Sequence, residues 1–323
     1  MKIVVSVPVH EKPDVILDQI NNIKKYIEKP IIVLHVSKSF FGQYSLERLN
    51  NIPDVYINPE NLDTVWGDIL LPHVSNYFYI REIEMFDYFL FQASNDMFVR
   101  RGIEDYVGQY EAGFCRRVIL QKESMWWPAQ AAWEDRQLRK IMNVIGQRQI
   151  VATQIEGTFL RRDIAEKVMS IIKNNYTPDD KEEIYTREEN YFSTIASAFV
   201  DWGKVGYPTT YSEVHIFDRC LWKLRTITRT LYYKCGIHLL IRDRIYFSFE
   251  ARYNDRLFKS HFNRITKKAV EAVRDNNQKY IMRNSTLNDY PGYFQLYDVE
   301  NVYAVKRIAR DYGDKVRTYI RNF

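Results

Sequence analysis

Short apolar runs alternate with segments whose apolar residues recur at helical spacing. The run from Ile3 to Val9 is rich in β-branched residues and predicts a buried strand, and residues 31–36 predict a second one. Between them, apolar side chains recur every three or four positions from Pro13 until Pro30, which predicts a helix. Strand, helix and strand within 36 residues form a βαβ unit, which implies a right-handed crossover and a parallel sheet.

The same alternation continues to about residue 200. Further strands are predicted at residues 55–58, 88–93 and 150–155. Further helices are predicted at residues 67–79, 162–173 and 188–199. Residues 103–150 are predicted to form helices that are interrupted at Met125-Trp126-Trp127-Pro128. This succession predicts an α/β fold with a mostly parallel central sheet.

Beyond Trp202 the pattern is less regular and more basic. Residues 218–246 predict a basic helix followed by irregular aromatic segments, and residues 255–285 predict another basic helix. No low-complexity linker separates these segments from the preceding part of the chain. We therefore expect one domain at residues 1–215 and a basic, mainly helical extension at residues 216–323 that packs on it.

Charge is unevenly distributed along the chain. Residues 221–323 hold 21 Lys and Arg against 10 Asp and Glu, a net charge of +11, whereas the rest holds 25 against 31, a net charge of −6. A basic surface attracts nucleic acids, anionic lipid headgroups or diphosphate groups. Such a surface can equally be solvated without a partner, so charge alone leaves these alternatives open.

Composition argues against several kinds of site. Glycine is scarce at 12 residues, and neither GxGxxG nor GxxxxGK[ST] occurs, so dinucleotide-binding and P-loop folds are not indicated. The 3 cysteines and 6 histidines show no metal-ligand spacing. No signal peptide precedes the first strand, and no apolar run approaches the roughly 18 residues that span a bilayer. We therefore expect a cytoplasmic protein, with peripheral contact at the inner face of the membrane left open.

Polar residues follow the predicted strands at their carboxyl ends. Ligands of open α/β sheets bind at this edge, so these residues are candidates for a binding site. The candidates are Val9, His10, Ser37, Asn58, Asn95 and Asp96, together with Glu156, Gly157 and Thr158 after the strand at residues 150–155.

Aromatic residues are abundant, with 24 Tyr, 18 Phe and 6 Trp. Flat aromatic faces cover the apolar face of sugar rings, so Trp66, Trp126 and Trp127 are candidate sugar-binding residues. The Trp126-Trp127 pair can instead fill a seam between domains, and both interpretations stay open.

Two adjacent carboxylates, Glu188 and Glu189, begin an aromatic-rich helix. Carboxylates favour a helix N-terminus through the helix dipole, and this explanation needs no function. A carboxylate at a helix start, downstream of a strand that ends in Ser94-Asn95-Asp96, is also typical of nucleotide-sugar transferases. There it removes a proton from an acceptor hydroxyl while the sugar leaves its diphosphate.

Four short segments occur in the order that they have in a known enzyme family. Residues 34–37 are similar to a VHVD-type strand end, and residues 87–99 to a strand that leads into a GQDFPI-type turn. Glu156-Gly157-Thr158-Phe159 is similar to a GSAYF-type segment, and residues 187–195 to a PDEYLWATI-type helix start. Over roughly residues 1–200 the chain thus resembles the core-2/I-branching β-1,6-N-acetylglucosaminyltransferases, a family that includes protein xylosyltransferases.

This resemblance implies a GT-A-like, Rossmann-type sandwich and an inverting transfer from a nucleotide-sugar. Glu189 aligns with the family's catalytic glutamate and is the expected general base, whereas Glu188 is expected to be solvated. Ser37 stands where the family has an acidic residue that contacts the nucleotide, and Asn95 replaces a glutamine.

The predicted strand end at Ser94-Asn95-Asp96 bears on the use of a metal. Metal-dependent enzymes of this fold mostly use Asp-x-Asp there, whereas this turn has one acid, and hard divalent cations need several oxygen ligands. We therefore expect no required metal, although a divalent ion stays an alternative, and we expect Asp96 to contact a sugar or to cap its turn. Fixed cations would then stabilise the diphosphate. The candidates are Arg225, Arg229 and Lys234.

The sequence therefore predicts a glycosyltransferase. It would move GlcNAc or a related sugar from a nucleotide-sugar, expected to be UDP-linked, to a hydroxyl of a glycan in bacterial surface polysaccharide synthesis. A lipid-linked acceptor at the membrane face is consistent with the basic extension. One alternative is a non-catalytic carbohydrate-binding or assembly protein of the same fold. A nucleic-acid-binding protein that uses the basic third is another alternative, although no nucleic acid is expected.

Overall fold

The computed structural model describes most of the chain up to residue 213 and two segments of the C-terminal third. The described residues are 1–41, 46–64, 69–115, 119–120, 127–178, 185–213, 227, 231–232, 235–237, 240, 265–284 and 301–323.

The described strands are short after the first two. They are β1 (Ile3–Val9), β2 (Pro30–Val36), β3 (Val55–Ile57), β4 (Tyr88–Phe91), β5 (Met97–Phe98), β6 (Ala112–Gly113), β7 (Ile119–Leu120), β8 (Ile150–Val151), β9 (Phe159–Arg161), β10 (Val205–Gly206), β11 (Thr210–Tyr211) and β12 (Ala304–Val305). The described helices are α1 (Pro13–Tyr26), α2 (Lys38–Phe41), α3 (Leu70–Ile80), α4 (Ile103–Val107), α5 (Trp127–Glu134), α6 (Arg136–Ile145), α7 (Arg162–Asn175), α8 (Glu188–Ala196), α9 (Lys267–Arg274), α10 (Gln278–Asn284) and α11 (Lys315–Arg321).

The central sheet is mixed but mostly parallel, which confirms the predicted α/β class. Its strand order is β10-β6-β9-β4-β1-β2-β3. Strands β1, β2, β3 and β4 run parallel to one another, and β10 is parallel to β6. Strand β9 is antiparallel to both of its neighbours, β4 and β6. The carboxyl ends of β1, β2, β3 and β4 therefore meet at one edge of the sheet.

Helices cover both faces of this sheet. Side chains of β1 alternate between the faces, so Val5 and Val7 pack against Ile16 and Ile20 of α1, whereas Val4 belongs to the core on the opposite face. That second core is filled by residues of α3, α7 and α8. Burial on both faces explains why β1 and β2 are apolar except at Ser6 and His35.

Two predictions for secondary structure are wrong. Residues 103–150 are not purely helical, because this segment contains β6 and β7. The predicted basic helix at residues 255–285 is, in its described part, two helices, α9 and α10, and Asn276 between them has a left-handed φ of 52°. The predicted helix at residues 218–246 lies almost wholly outside the described residues.

The C-terminal segment, residues 301–323, pairs and packs with elements from the first two thirds of the chain. Strand β12 lies between β11 and β5 in a small sheet. Helix α11 is tied to α1, since Arg317 donates to Asp18 Oδ2 at 2.9 Å and Arg321 donates to Asp18 Oδ1 at 2.8 Å. Arg317 and Asp18 are almost completely buried. This junction fixes the position of the segment that follows β12.

Two acidic residues of α1 provide a matched test of that junction. Asp18→Asn leaves Arg317 buried without its counter-ion, so the free energy of unfolding is expected to fall by about 3–5 kcal/mol. Asp14 forms an exposed pair with Arg48, and Asp14→Asn is expected to cost less than about 1 kcal/mol. Urea unfolding of both variants measures the difference, and equal effects would contradict a stabilising role of the buried junction.

Candidate functional site

Side chains from four distant parts of the chain converge at the carboxyl edge of the central sheet. Asp96 follows β4, Glu156 precedes β9, Glu189 begins α8, and Lys306 and Arg307 follow β12. Both Lys306 and Arg307 act electrostatically on all three carboxyl groups. The structure therefore brings three acids and two cations into one cleft.

Glu189 lies in the first turn of α8 and is part-buried. Burial raises its pKa to about 7, and the charge of Glu156 acts in the same direction. Lys306, Arg307 and a hydrogen bond from the Thr186 side chain oppose this rise. A carboxyl group with this pKa exchanges protons near neutral pH, which is the property that a general base needs.

A buried cluster fixes the turn that presents Glu189. Asp135 caps α6 through Oδ1, and its Oδ2 accepts hydrogen bonds from Tyr185 at 2.7 Å and Tyr191 at 2.8 Å. Arg187 Nε lies 3.5 Å from the same oxygen. Glu188, which follows Arg187, is buried, so the expectation that it is solvated is wrong.

The cations come from a segment that sequence reasoning did not select. Lys306 Nζ donates to Glu156 Oε2 at 2.9 Å, and both side chains are mostly buried. Arg307 has a left-handed φ of 68°, and its backbone carbonyl accepts from Ile265. Such a conformation is unfavourable for arginine and is kept where the surrounding structure imposes it, often at functional sites.

Asp96 closes the turn after β4. Its Oδ2 accepts from the Ala93 backbone at 2.9 Å, as the turn-capping interpretation predicts, and burial raises its pKa well above the ordinary value, with Glu156 adding to the effect. Its Oδ1 is buried and has no hydrogen-bond partner among the described residues. The turn is held to the C-terminal segment because the Asn95 carbonyl accepts from Ile308.

A second cluster of ionisable side chains, formed by Glu11, His10 and Arg310, lies at the end of β1. The carboxylate of Glu11 is buried, and its Oε1 lies 3.0 Å from Arg310 Nε and 3.3 Å from His10 Nε2. The side chain of His10 is 40% exposed, and the partial loss of water around its ring lowers its pKa, with Arg310 adding to this effect and Glu11 opposing it. Arg310 therefore adds a third residue from the segment after β12 to the same edge.

Gly157 holds Glu156 in place through a close backbone approach. Its φ is +81°, and an added Cβ would lie 2.3 Å from the Thr210 amide nitrogen. The Gly157 amide donates to Phe91 of β4, and its carbonyl accepts from Thr209. Only glycine meets both the conformational and the steric requirement here.

A glycine pair provides a test of that requirement. Gly157→Ala is expected to lower the free energy of unfolding by more than about 3 kcal/mol, because the backbone of Thr210 must move. Gly146 has a φ of +70° but nothing within 4 Å of an added Cβ. Gly146→Ala is therefore expected to cost only about 1–2 kcal/mol. Similar losses in urea unfolding would show that the contact with Thr210 is unimportant.

The remaining predicted residues lie at the edge but serve mainly as its framework. Val9 and Ser37 are buried at the ends of β1 and β2. Asn58 is buried and donates to Ser75 and Asn76 of α3. The Thr158 hydroxyl donates to the Gln154 carbonyl at 2.7 Å.

Several predicted residues cannot be placed in the site. Trp127 is the first residue of α5, and its side chain is not described. Five others lie outside the described residues, namely Trp66, Trp126, Arg225, Arg229 and Lys234.

Among the described residues, no group of three or more His, Cys, Asp or Glu side chains is arranged to hold a metal ion. No helix in this part of the chain is long and apolar enough to cross a membrane.

A cavity of about 910 Å³ lies apart from this edge, next to Tyr88 at the start of β4. Of its two arginines, Arg161 is paired with Asp163 and Glu111, and Arg162 lies over the ring of Phe86. These contacts give no reason to prefer the cavity over the cleft around Glu189.

The sequence matches no family model and no curated protein. Among solved structures, TarS of S. aureus is similar at a TM-score of 0.35 and 13% identity, over 61% of this chain and 33% of TarS. The galactosyltransferase LgtC, solved with donor and acceptor sugar analogs, is similar at a TM-score of 0.29 and 12% identity, over 64% and 73%. A 4-diphosphocytidyl-2C-methyl-D-erythritol synthase is similar at a TM-score of 0.28 and 9% identity, over 57% of this chain and 91% of the synthase. The match thus spans about a third of TarS, and the low TM-scores leave function to be argued from the site.

Proposed function

We propose that this protein is a glycosyltransferase that moves a sugar from a nucleotide-sugar to a hydroxyl group of a glycan. The observation that carries the proposal is the position of Glu189, a part-buried carboxyl group with a pKa of about 7 on which the charges of Lys306 and Arg307 act. A base and fixed cations in one cleft are the two kinds of group that a sugar transfer requires.

In this proposal Glu189 is the general base. The acceptor hydroxyl donates a hydrogen bond to the carboxylate, which takes the proton as the hydroxyl oxygen attacks the anomeric carbon. The bond to the diphosphate breaks on the opposite side, so the anomeric configuration is inverted. General-base action of this kind contributes about 10²–10⁴-fold to the rate.

Lys306 and Arg307 stabilise the leaving diphosphate in this proposal. Negative charge develops on the oxygen that leaves the sugar, and fixed cations in a partly dehydrated cleft stabilise it without reorganisation. Lys306 is nearly buried, and Arg307 has no ion-pair partner among the described residues. These cations support a reaction that does not require a metal. The predicted Arg225, Arg229 and Lys234 lie outside the described residues and stay predictions.

The finer assignments follow from the sequence resemblance. We propose an inverting transferase of the GT-A type whose donor is UDP-GlcNAc or a related nucleotide-sugar. Its acceptor would be a glycan of bacterial surface polysaccharide synthesis, with a lipid-linked form included, and the reaction would occur in the cytoplasm. His10 and Asp96 follow β1 and β4 at this edge of the sheet and would contact the donor.

Thermal unfolding in the presence of nucleotide-sugars tests the proposal. A ligand at a hundred times its dissociation constant stabilises the fold by about 2.7 kcal/mol, which raises the melting temperature measurably. We expect at least one of a panel of UDP-, GDP-, CMP- and dTDP-linked sugars to do so. The corresponding sugars without nucleotide are the control, and protection by the free sugars alone would favour a carbohydrate-binding protein instead.

A further inference from the structure

The pair formed by Glu156 and Lys306 has a consequence for ligand binding. Their side chains retain 17% and 10% of their exposure, so the ion pair is shielded from water without being sealed off. Of the two cations, Lys306 acts more strongly than Arg307 on all three carboxyl groups, and its ammonium group already donates to Glu156. An anion that enters the cleft must therefore compete with Glu156 for Lys306.

The ionised carboxylate of Glu156 is stabilised by Lys306 but disfavours ionisation of the neighbouring carboxyl groups of Asp96 and Glu189. Burial opposes the ionisation of Glu156, but the charge and hydrogen bond of Lys306 outweigh it and lower its pKa below the ordinary value. Once ionised, Glu156 raises the pKa of Asp96 and of Glu189. Lys306, with a smaller contribution from Arg307, therefore keeps Glu156 ionised although two other carboxyl groups are close by.

The backbone around Glu156 allows its side chain, but not its main chain, to change position. Gly157 is fixed by hydrogen bonds to Phe91 and Thr209, and the Glu156 carbonyl accepts from Gln154 at 2.8 Å. In the described part of the chain, the carboxylate of Glu156 forms one ion pair, the one with Lys306. Rotation of one side chain is therefore sufficient to free the ammonium group.

We propose that Glu156 is a built-in competitor of the anionic ligand, which occupies Lys306 in the empty site and is displaced when a diphosphate binds. This inference rests on the proposed function and deepens it, because it assigns to Glu156 the control of which anions enter. A diphosphate carries more charge than one carboxylate and can bridge Lys306 and Arg307. A single phosphate competes with Glu156 less effectively, so the pair selects diphosphate over monophosphate ligands.

Isothermal titration of inorganic pyrophosphate and of inorganic phosphate tests this inference. Glu156→Gln removes the competing charge but keeps the side-chain volume, so pyrophosphate is expected to bind about ten-fold or more tightly than to the wild type, a difference of about 1.4 kcal/mol. Phosphate is expected to gain more than pyrophosphate, because the selection against it is lost. Glu156→Asp withdraws the carboxylate by one methylene group. Its affinity for pyrophosphate is expected to lie between that of the wild type and that of Glu156→Gln.

Two further variants make the result specific. With Lys306→Met present, adding Glu156→Gln is expected to give no gain in pyrophosphate affinity, since the cation for which both compete is absent. Glu84→Gln removes a carboxylate that pairs with Lys2 at the opposite edge of the sheet, and it is expected to leave binding unchanged.

The outcomes separate the two proposals. If both Glu156 variants bind pyrophosphate no more tightly than the wild type does, Glu156 does not compete with the ligand. That result would overturn this inference while leaving the anion site intact. Absence of binding of pyrophosphate and of UDP to every variant would overturn the proposed function as well.

Discussion

Replacement of Glu189 by glutamine is expected to lower sugar transfer by about 10²–10⁴-fold, because the amide cannot accept the proton of the acceptor hydroxyl. The side chains have nearly the same volume, so substrate binding is expected to change little and the loss to appear in kcat. In the wild type, transfer is expected to increase with pH through about 7, as the carboxyl group loses its proton. Glu28→Gln removes an exposed carboxylate after α1 and is the control.

The Glu189→Gln variant is expected to be more stable than the wild type at about pH 8. The pKa of Glu189 is raised from 4.5 to about 7 in the folded protein, so the folded state binds a proton more tightly than the unfolded state. The unfavourable contribution of Glu189 is thus fully present above pH 7, decreases as the pH falls from about 7 to 4.5, and is absent below 4.5. Melting temperatures across this range measure it, and a destabilised glutamine variant at about pH 8 would contradict the raised pKa.

Replacement of Lys306 by methionine is expected to lower turnover by about 10²–10³-fold, the usual effect of removing one group that stabilises developing negative charge. Binding of the nucleoside diphosphate product is expected to weaken as well. Because Lys306→Met leaves Glu156 without its partner, the double variant with Glu156→Gln is needed to separate lost function from lost stability. Lys29→Met, at an exposed position, is the control.

The role of Lys306 also predicts the response to metal chelation. If Lys306 and Arg307 supply the positive charge, wild-type turnover is expected to be unchanged in excess EDTA. A strict requirement for Mn²⁺ would show that the cations do not suffice, and the carboxyl groups of Asp96 and Glu156 would then need a different explanation.

The parts of this fold that were predictable are those with a strong local pattern. The β-branched runs of β1 and β2 and the helical spacing after Pro13 identify a βαβ unit, and the structure has it. By contrast, β6 and β9 have two and three residues, which is too short for any periodicity to be recognised. The antiparallel position of β9 inside the sheet therefore has no sequence signal.

Of the candidate site, the sequence pointed to the three acidic residues but not to the two cations, Lys306 and Arg307. Asp96, Glu156 and Glu189 each follow or begin a recognisable element. Lys306 is 150 positions from its partner Glu156, and only tertiary structure brings the two together. The basic surplus of the C-terminal third indicated that cations were available but not which ones. A short apolar run, Val302-Tyr303-Ala304-Val305, ends at Lys306-Arg307 and was the signal that could have identified them.

In the proposed mechanism, Glu189 and Lys306 act on one reacting centre. The most direct test is release of nucleoside diphosphate from the nucleotide-sugar that gives the largest thermal shift, measured in a single turnover with glycan acceptors. Wild-type protein is expected to release it together with a glycosylated acceptor, and both Glu189→Gln and Lys306→Met are expected to be at least about 10²-fold slower. Release by Glu189→Gln at the wild-type rate would contradict the account.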